Sequence, residues 1–166
     1  MVHDGRAVAN FVLDHADRLG AAQTNLSLQK VVYFCHVWSL IELNKPLIKQ
    51  DFEAWEYGPV LQYLYREFKV FGSAVIRDRA HRLNPFTGNK EIVPYAFDEA
   101  TFALLTRIVG FYGRLSGSLL VQLTHAEGGP WHKVWHQGGK VTPGMRIDNR
   151  EIVRFYAHIP SPLTLQ

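Results

Sequence analysis

Two pairs of side chains in this sequence are of types that chemistry uses. Cys35 and His36 are adjacent, the ingredients of a thiol nucleophile and its base. On a helix, neighbouring residues point about 100° apart, so the two do not face each other, and a working Cys/His dyad is assembled from distant segments. His132 and His136 stand four apart, the spacing that puts two imidazoles on one helix face for zinc. His125 and Glu127 lie close enough to complete such a site. Yet Lys133 follows the first histidine where metalloproteases carry a glutamate, and no thiolate cluster offers further ligands. The sequence has no phosphate-cradling glycine loop, no G-x-S-x-G elbow and no carboxylate pair at a telling spacing. These residues predict a chain that is not an enzyme and takes no metal or cofactor, with a metal-dependent hydrolase as the weakest alternative.

Residues suited to binding are more numerous. Trp55, Tyr57, Trp131 and Trp135 flank glycine and proline corners, where a large ring either pins the corner to the core or anchors a partner. Arg77, Arg79, His81, Arg82 and Lys90, with Phe86 among them, would suit an acidic protein face or a phosphate backbone; the plainer reading is a solvated arm. A net charge of +3 over 166 residues falls short of the dense basic field that argues for nucleic acid by itself. A single cysteine excludes an internal disulfide, and Cys35 sits among large apolar residues, as an inert buried thiol would. The amino end lacks an export pattern and the longest apolar run is too short to span a bilayer, so the expectation is a cytoplasmic protein without a membrane partner.

The element that must position these residues is the stretch from Ser27 to Asn44. Apolar residues fill nearly every position of it, the pattern of a helix buried all round. Ser27 is its expected cap, and Asn44 before Lys45-Pro46 its expected exit. Gln29, Lys30 and His36 must find partners, because an unpaired buried polar group costs roughly 2–7 kcal/mol. Before it, Asp4 caps a helix running to about Leu19, with Gly20 ending it. After it, residues 51–57 alternate like a strand, Gly58-Pro59 stops that strand, and Pro59 opens a helix running to Gly72. Residues 73–96 read as a hairpin with a longer loop, able to make a small antiparallel sheet with the Phe52 strand. Asp98, Ser116 and Asp148 are caps of three later helices, and Pro130 starts a short one. Thr142-Pro143-Gly144 marks a turn.

The fold class that follows is α+β, mainly α: about six helices around the buried helix 28–43, with a small antiparallel sheet or hairpin at one edge. Residues 1–159 form one domain, and 160–166 a loose tail.

Three elements, LQKVVYFCHVWSL, FEAWEYGPVLQYLYREFKVFG and LTHAEGGPWHKVW, stand in this order from Leu28 to Trp135. Together they resemble the SocA-like antitoxin, or Panacea, domain, over roughly Val8 to Tyr156. The resemblance implies a bacterial or prophage-borne antitoxin that binds its cognate toxin as a protein, by masking it or by presenting it to an ATP-dependent protease, and without enzymatic activity. The family motif falls on Leu28, Gln29, Lys30, Tyr33, Phe34 and His36, on Trp55, Tyr57, Gly58 and Pro59, and on Thr124, His125, Pro130 and Trp131. A scaffold role explains most of these. The candidates for a partner surface are Lys30, Tyr33, His36, Trp55, Glu56, Tyr57, Thr124, His125 and Trp131, with Lys30 expected to meet Glu56 as a supporting ion pair or at the rim of a toxin-binding pocket. The rival class is a nucleic-acid-binding regulator using the basic arm of Arg77, Arg79, Arg82 and Lys90. A homo-oligomer is compatible with either.

Overall fold

Helix α2 (Asn25–Glu42) is the axis of the molecule: fifteen of its eighteen residues are buried. Its start is a reciprocal capping box. Thr24 Oγ1 accepts from the Ser27 amide at 3.2 Å, and Ser27 Oγ accepts from the Thr24 amide at 3.0 Å. The cap is therefore Thr24, with the expected Ser27 as its partner three residues on. Asn44 leaves the helix at φ 54°, the left-handed exit that the sequence predicts.

The structure is a computed structural model and describes residues 1–139 and 144–165; the expected turn at Thr142-Pro143 lies outside the described residues. Six elements contact α2 closely: α1 (Gly5–Arg18), β2 (Gly58–Val60), α3 (Gln62–Phe68), α4 (Glu99–Tyr112), α5 (Gly117–Thr124) and α7 (Asn149–Tyr156). A sixth surrounding helix, α6 (Pro130–Trp135), packs on the sheet beside α7. The described residues thus form seven α-helices with two small antiparallel sheets, an α+β and mainly α fold. Asp4, Asp98, Ser116 and Asp148 all cap as read from the sequence, each accepting from an amide of its helix's first turn. None of the described helices is long and apolar enough to cross a membrane.

The sheets differ from the expectation. Strand β1 (Glu53–Trp55) is short, and Gly58-Pro59 does not end it in a helix. Gly58, Pro59 and Val60 are β2 itself, paired antiparallel in the register Trp55 to Gly58 and Glu53 to Val60. Proline's missing N–H costs nothing on an edge strand, and β2 is one. Helix α3 starts only at Gln62, without a side-chain cap. The other neighbour of β1 is β5 (Met145–Arg146). The 73–96 hairpin, β3 (His81–Leu83) with β4 (Lys90–Ile92), forms a sheet of its own and never joins β1. At the segment expected as a loose tail, Pro162–Leu165 forms a 3₁₀ turn and Leu163, 3% exposed, joins the core.

Candidate functional site

The expected motif residues that lie far apart in the chain meet at one place, the corner where the β1–β2 hairpin rests on α2, α5 and α6. The loop between the strands is only two residues, Glu56 and Tyr57, so the hairpin turns tightly and Gly58 follows at φ 117°. A Cβ there would stand 2.6 Å from Lys30 Cε and 2.7 Å from Thr124 Oγ1. Backbone conformation and space both demand glycine.

Two buried donors hold this hairpin, one on each strand. Lys30, with 0% exposure, donates to the Pro59 carbonyl at 3.0 Å, and Trp131 Nε1 donates to the Trp55 carbonyl at 2.7 Å. Each strand therefore has a carbonyl fixed by a helix side chain. Trp131 stacks flat on His125, their ring centroids 3.6 Å apart and their planes 2° from parallel. Thr124 donates to the Val121 carbonyl at 2.9 Å, closing the last turn of α5. Gln29, one residue before the lysine, accepts from the Leu61 amide at 3.0 Å and fixes the entry to α3.

The electrostatics of the corner are unusual. Burial pushes the Lys30 amine down to about 7, and no carboxylate is paired with it among the described residues. The expected Lys30–Glu56 ion pair does not form. Glu56 stays exposed on the loop while the lysine takes a backbone carbonyl, although both line the same pocket. Burial also lowers His125, with the Lys30 charge next in effect, and its Nε2 is buried without a partner. The corner thus buries an amine without a carboxylate partner and an imidazole nitrogen without a hydrogen bond.

Outward from the corner stand Trp55 and Tyr57. Trp55 lies against Tyr65 at 5.1 Å and donates to Glu53 Oε1 at 3.1 Å; Tyr57 is 60% exposed. Leu26, Tyr65 and Lys69 complete the pocket and were not among the sequence candidates. A helix that starts at Ser27 leaves Leu26 outside it. The signal that would have caught it is the Thr24-x-x-Ser27 capping pattern.

The remaining candidates lie elsewhere. His36 accepts from the Ile48 amide at Nδ1, 3.2 Å, so Nε2 carries the proton and donates to Asn149 Oδ1 at 2.8 Å. It is a satisfied core histidine tying α2 to α7. Tyr33 is buried, edge-on to Phe34 and Phe52, and its hydroxyl has no partner. Cys35 is fully buried and its thiol is pushed far up by burial, so the Cys35–His36 neighbours share no chemistry. His132 and His136 lie 4.7 Å apart, and among the described residues no group of three or more potential ligands is placed to hold a metal.

On the basic arm, Arg79 is bound to Asp14 at 2.7 Å and Asp17 at 2.6 Å, and Arg82 to Glu91 at 2.9 Å. Arg77 and Lys90 are exposed. Two of the four charges are thus neutralised by acidic neighbours, three carboxylates that the sequence placed far from them or gave no reason to pair.

Fold and corner together define a class: a mainly helical α+β domain whose motif residues build a desolvated, aromatic-walled corner. The chain belongs to the SocA-like antitoxin family, described as "Antitoxin SocA-like, Panacea domain", whose family model matches residues 28–132. That span runs from Leu28 to His132 and contains Lys30, the β1–β2 hairpin, Thr124, His125 and Trp131, though not Leu26. The chain is similar to Antitoxin SocA of Caulobacter vibrioides (strain NA1000 / CB15N), 38% identical over 150 residues, covering 90% of this chain and 80% of that protein. No solved structure matches the chain significantly.

Proposed function

We propose that this chain is the antitoxin of a bacterial or prophage toxin–antitoxin pair, and that it neutralises a cognate toxin in the cytoplasm by direct protein–protein binding, making no bond of its own. The observation that carries this reading is the likeness to Antitoxin SocA along 90% of the chain. The corner supports it. Trp55, Glu56 and Tyr57 project from a hairpin whose strands are fixed by buried donors, and a rigid base under an exposed aromatic is the arrangement of an interface anchor. Lys30, Thr124, His125 and Trp131 hold that base, while Tyr33 and His36 keep α2 in place behind it. Covering the toxin's active surface requires one face of the molecule; presentation to an ATP-dependent protease requires a second.

Co-expression with the product of the adjacent reading frame tests the reading. That product alone arrests growth, and this chain relieves the arrest. Relief that persists in cells lacking ATP-dependent proteases marks masking, and relief that vanishes there marks delivery. Arrest unaffected by this chain contradicts the proposal.

A further inference from the structure

A second pocket shares no lining residue with the one at the corner. It lies where α2, α4 and α7 meet, and its walls include Phe34, Trp38, Phe111, Tyr112, Phe155 and Tyr156. Its volume is about 280 Å³, and none of its lining residues is charged. An apolar cavity of about 150 Å³ holds benzene, so this one has room for about two fused rings. Phe34 lies flat on Tyr112, their centroids 4.1 Å apart, while Phe34 and Trp38 each meet Tyr156 edge-on, at 6.3 and 5.7 Å. Walls of aromatic faces and edges favour a flat ring as guest.

The polar side-chain atoms among the lining residues are Trp38 Nε1 and the hydroxyls of Tyr112 and Tyr156. The first is spent: it donates to the Tyr112 oxygen at 2.8 Å. An indole nitrogen only donates, so the Tyr112 hydroxyl keeps its own hydrogen to give. Tyr156 is 5% exposed, and its hydroxyl has no hydrogen bond among the described residues. Burial raises both phenols, so each stays protonated at neutral pH. Two O–H donors thus wait for an acceptor in a pocket whose other side-chain atoms are carbon.

We propose that this pocket binds an uncharged aromatic molecule of about two fused rings carrying one carbonyl-type acceptor, with the acceptor met by the hydroxyls of Tyr156 and Tyr112. The aromatic walls take the rings, and the hydroxyls fix their orientation. No lysine, arginine or histidine lines the pocket to offset the desolvation of an anion, and no carboxylate that of a cation, so a charged ligand is rejected. The site is a small-molecule site, and it is independent of the toxin-binding reading of the corner.

The test titrates the full chain with three probes of one ring skeleton: 1-indanone, which has a carbonyl, indane, which has none, and indane-1-carboxylate, which is charged. Nuclear magnetic resonance follows two indole N–H signals, Trp38 at the pocket and Trp131 at the corner. The expected result is a shift of the Trp38 signal that saturates with 1-indanone below about 1 mM, with Trp131 unmoved and the carboxylate at least about tenfold weaker. Tyr156→Phe keeps the ring and removes one donor, and it lowers the preference for 1-indanone over indane by about threefold or more. Should Tyr156→Phe fail to fold, the ranking of 1-indanone over the carboxylate at Trp38 of the wild type decides. No saturable shift at Trp38, an equal shift at Trp131, a carboxylate bound as tightly as the ketone, or an unchanged preference for ketone over hydrocarbon in Tyr156→Phe overturns the proposal. No toxin takes part, so failure here leaves growth rescue to be judged separately.

Discussion

The β1–β2 corner and the β3–β4 arm are both short antiparallel hairpins, yet they are secured in different ways. The corner has a two-residue loop and is fixed by groups from distant segments, Lys30 on Pro59 and Trp131 on Trp55. The arm makes its own turn. Asn84 Oδ1 accepts from the amides of Phe86 and Thr87, Arg82 pairs with Glu91 across the strands, and Phe86 stands 93% exposed at the tip. Only its base is tied in, where buried Asn10 bonds Ala80 and Val93. A hairpin held by tertiary donors is vulnerable at single atoms, and one held by its own side chains tolerates change.

Substitutions can break or sharpen this contrast. The largest effect belongs to Trp131→Ala, which removes a buried ring, its stack on His125 and the donor to Trp55. A loss of about 3–5 kcal/mol in urea unfolding is expected. Gly58→Ala comes next, on the order of 1–3 kcal/mol, because its methyl meets Lys30 and Thr124 at a φ that side chains avoid. A wild-type midpoint for either variant would mean that the corner is not interlocked.

Lys30→Met acts through pH. The folded amine is pushed down to about 7 while the unfolded one stays near 10.4, so the unfolded chain binds more protons between these values. Stability should therefore rise with pH across that window, by up to about 1.4 kcal/mol per unit, and the cost of burying the amine is fully present below pH about 7. Lys30→Met should flatten this rise; an unchanged slope would show that the amine is not the group responsible. The smallest effects belong to the arm. Arg82→Ala and Lys90→Ala should each change stability by no more than about 0.5 kcal/mol, read from the same unfolding curves.

The sequence made local features legible and left tertiary ones hidden. The caps Asp4, Asp98, Ser116 and Asp148 and the exit at Asn44 could be read because each depends on a few neighbouring residues. The central helix could be read from apolar residues on every face. The β1–β2 hairpin could not. Its loop, Glu56-Tyr57, carries no turn-specific residue, and Gly58-Pro59 fits a helix start as well as an edge strand. The acceptor of Lys30 is hidden for a simpler reason: Glu56 advertises its charge in the sequence, whereas the Pro59 carbonyl is a backbone atom like any other. Arg79 likewise looked free, since only folding brings α1 and its Asp14 and Asp17 against it. The motif segments were visible as segments, but their meeting at one corner was not.

The most direct test of the account is the affinity of the purified chain for the product of the adjacent reading frame, compared among wild type, Tyr57→Ala and the double variant Arg82→Ala, Lys90→Ala. Tyr57 is mostly exposed, so its loss should leave the fold intact. The account predicts binding at least about tenfold weaker for Tyr57→Ala and little changed for the arm variant. Wild-type affinity in Tyr57→Ala, together with a steeply salt-dependent loss in the arm variant, would contradict it.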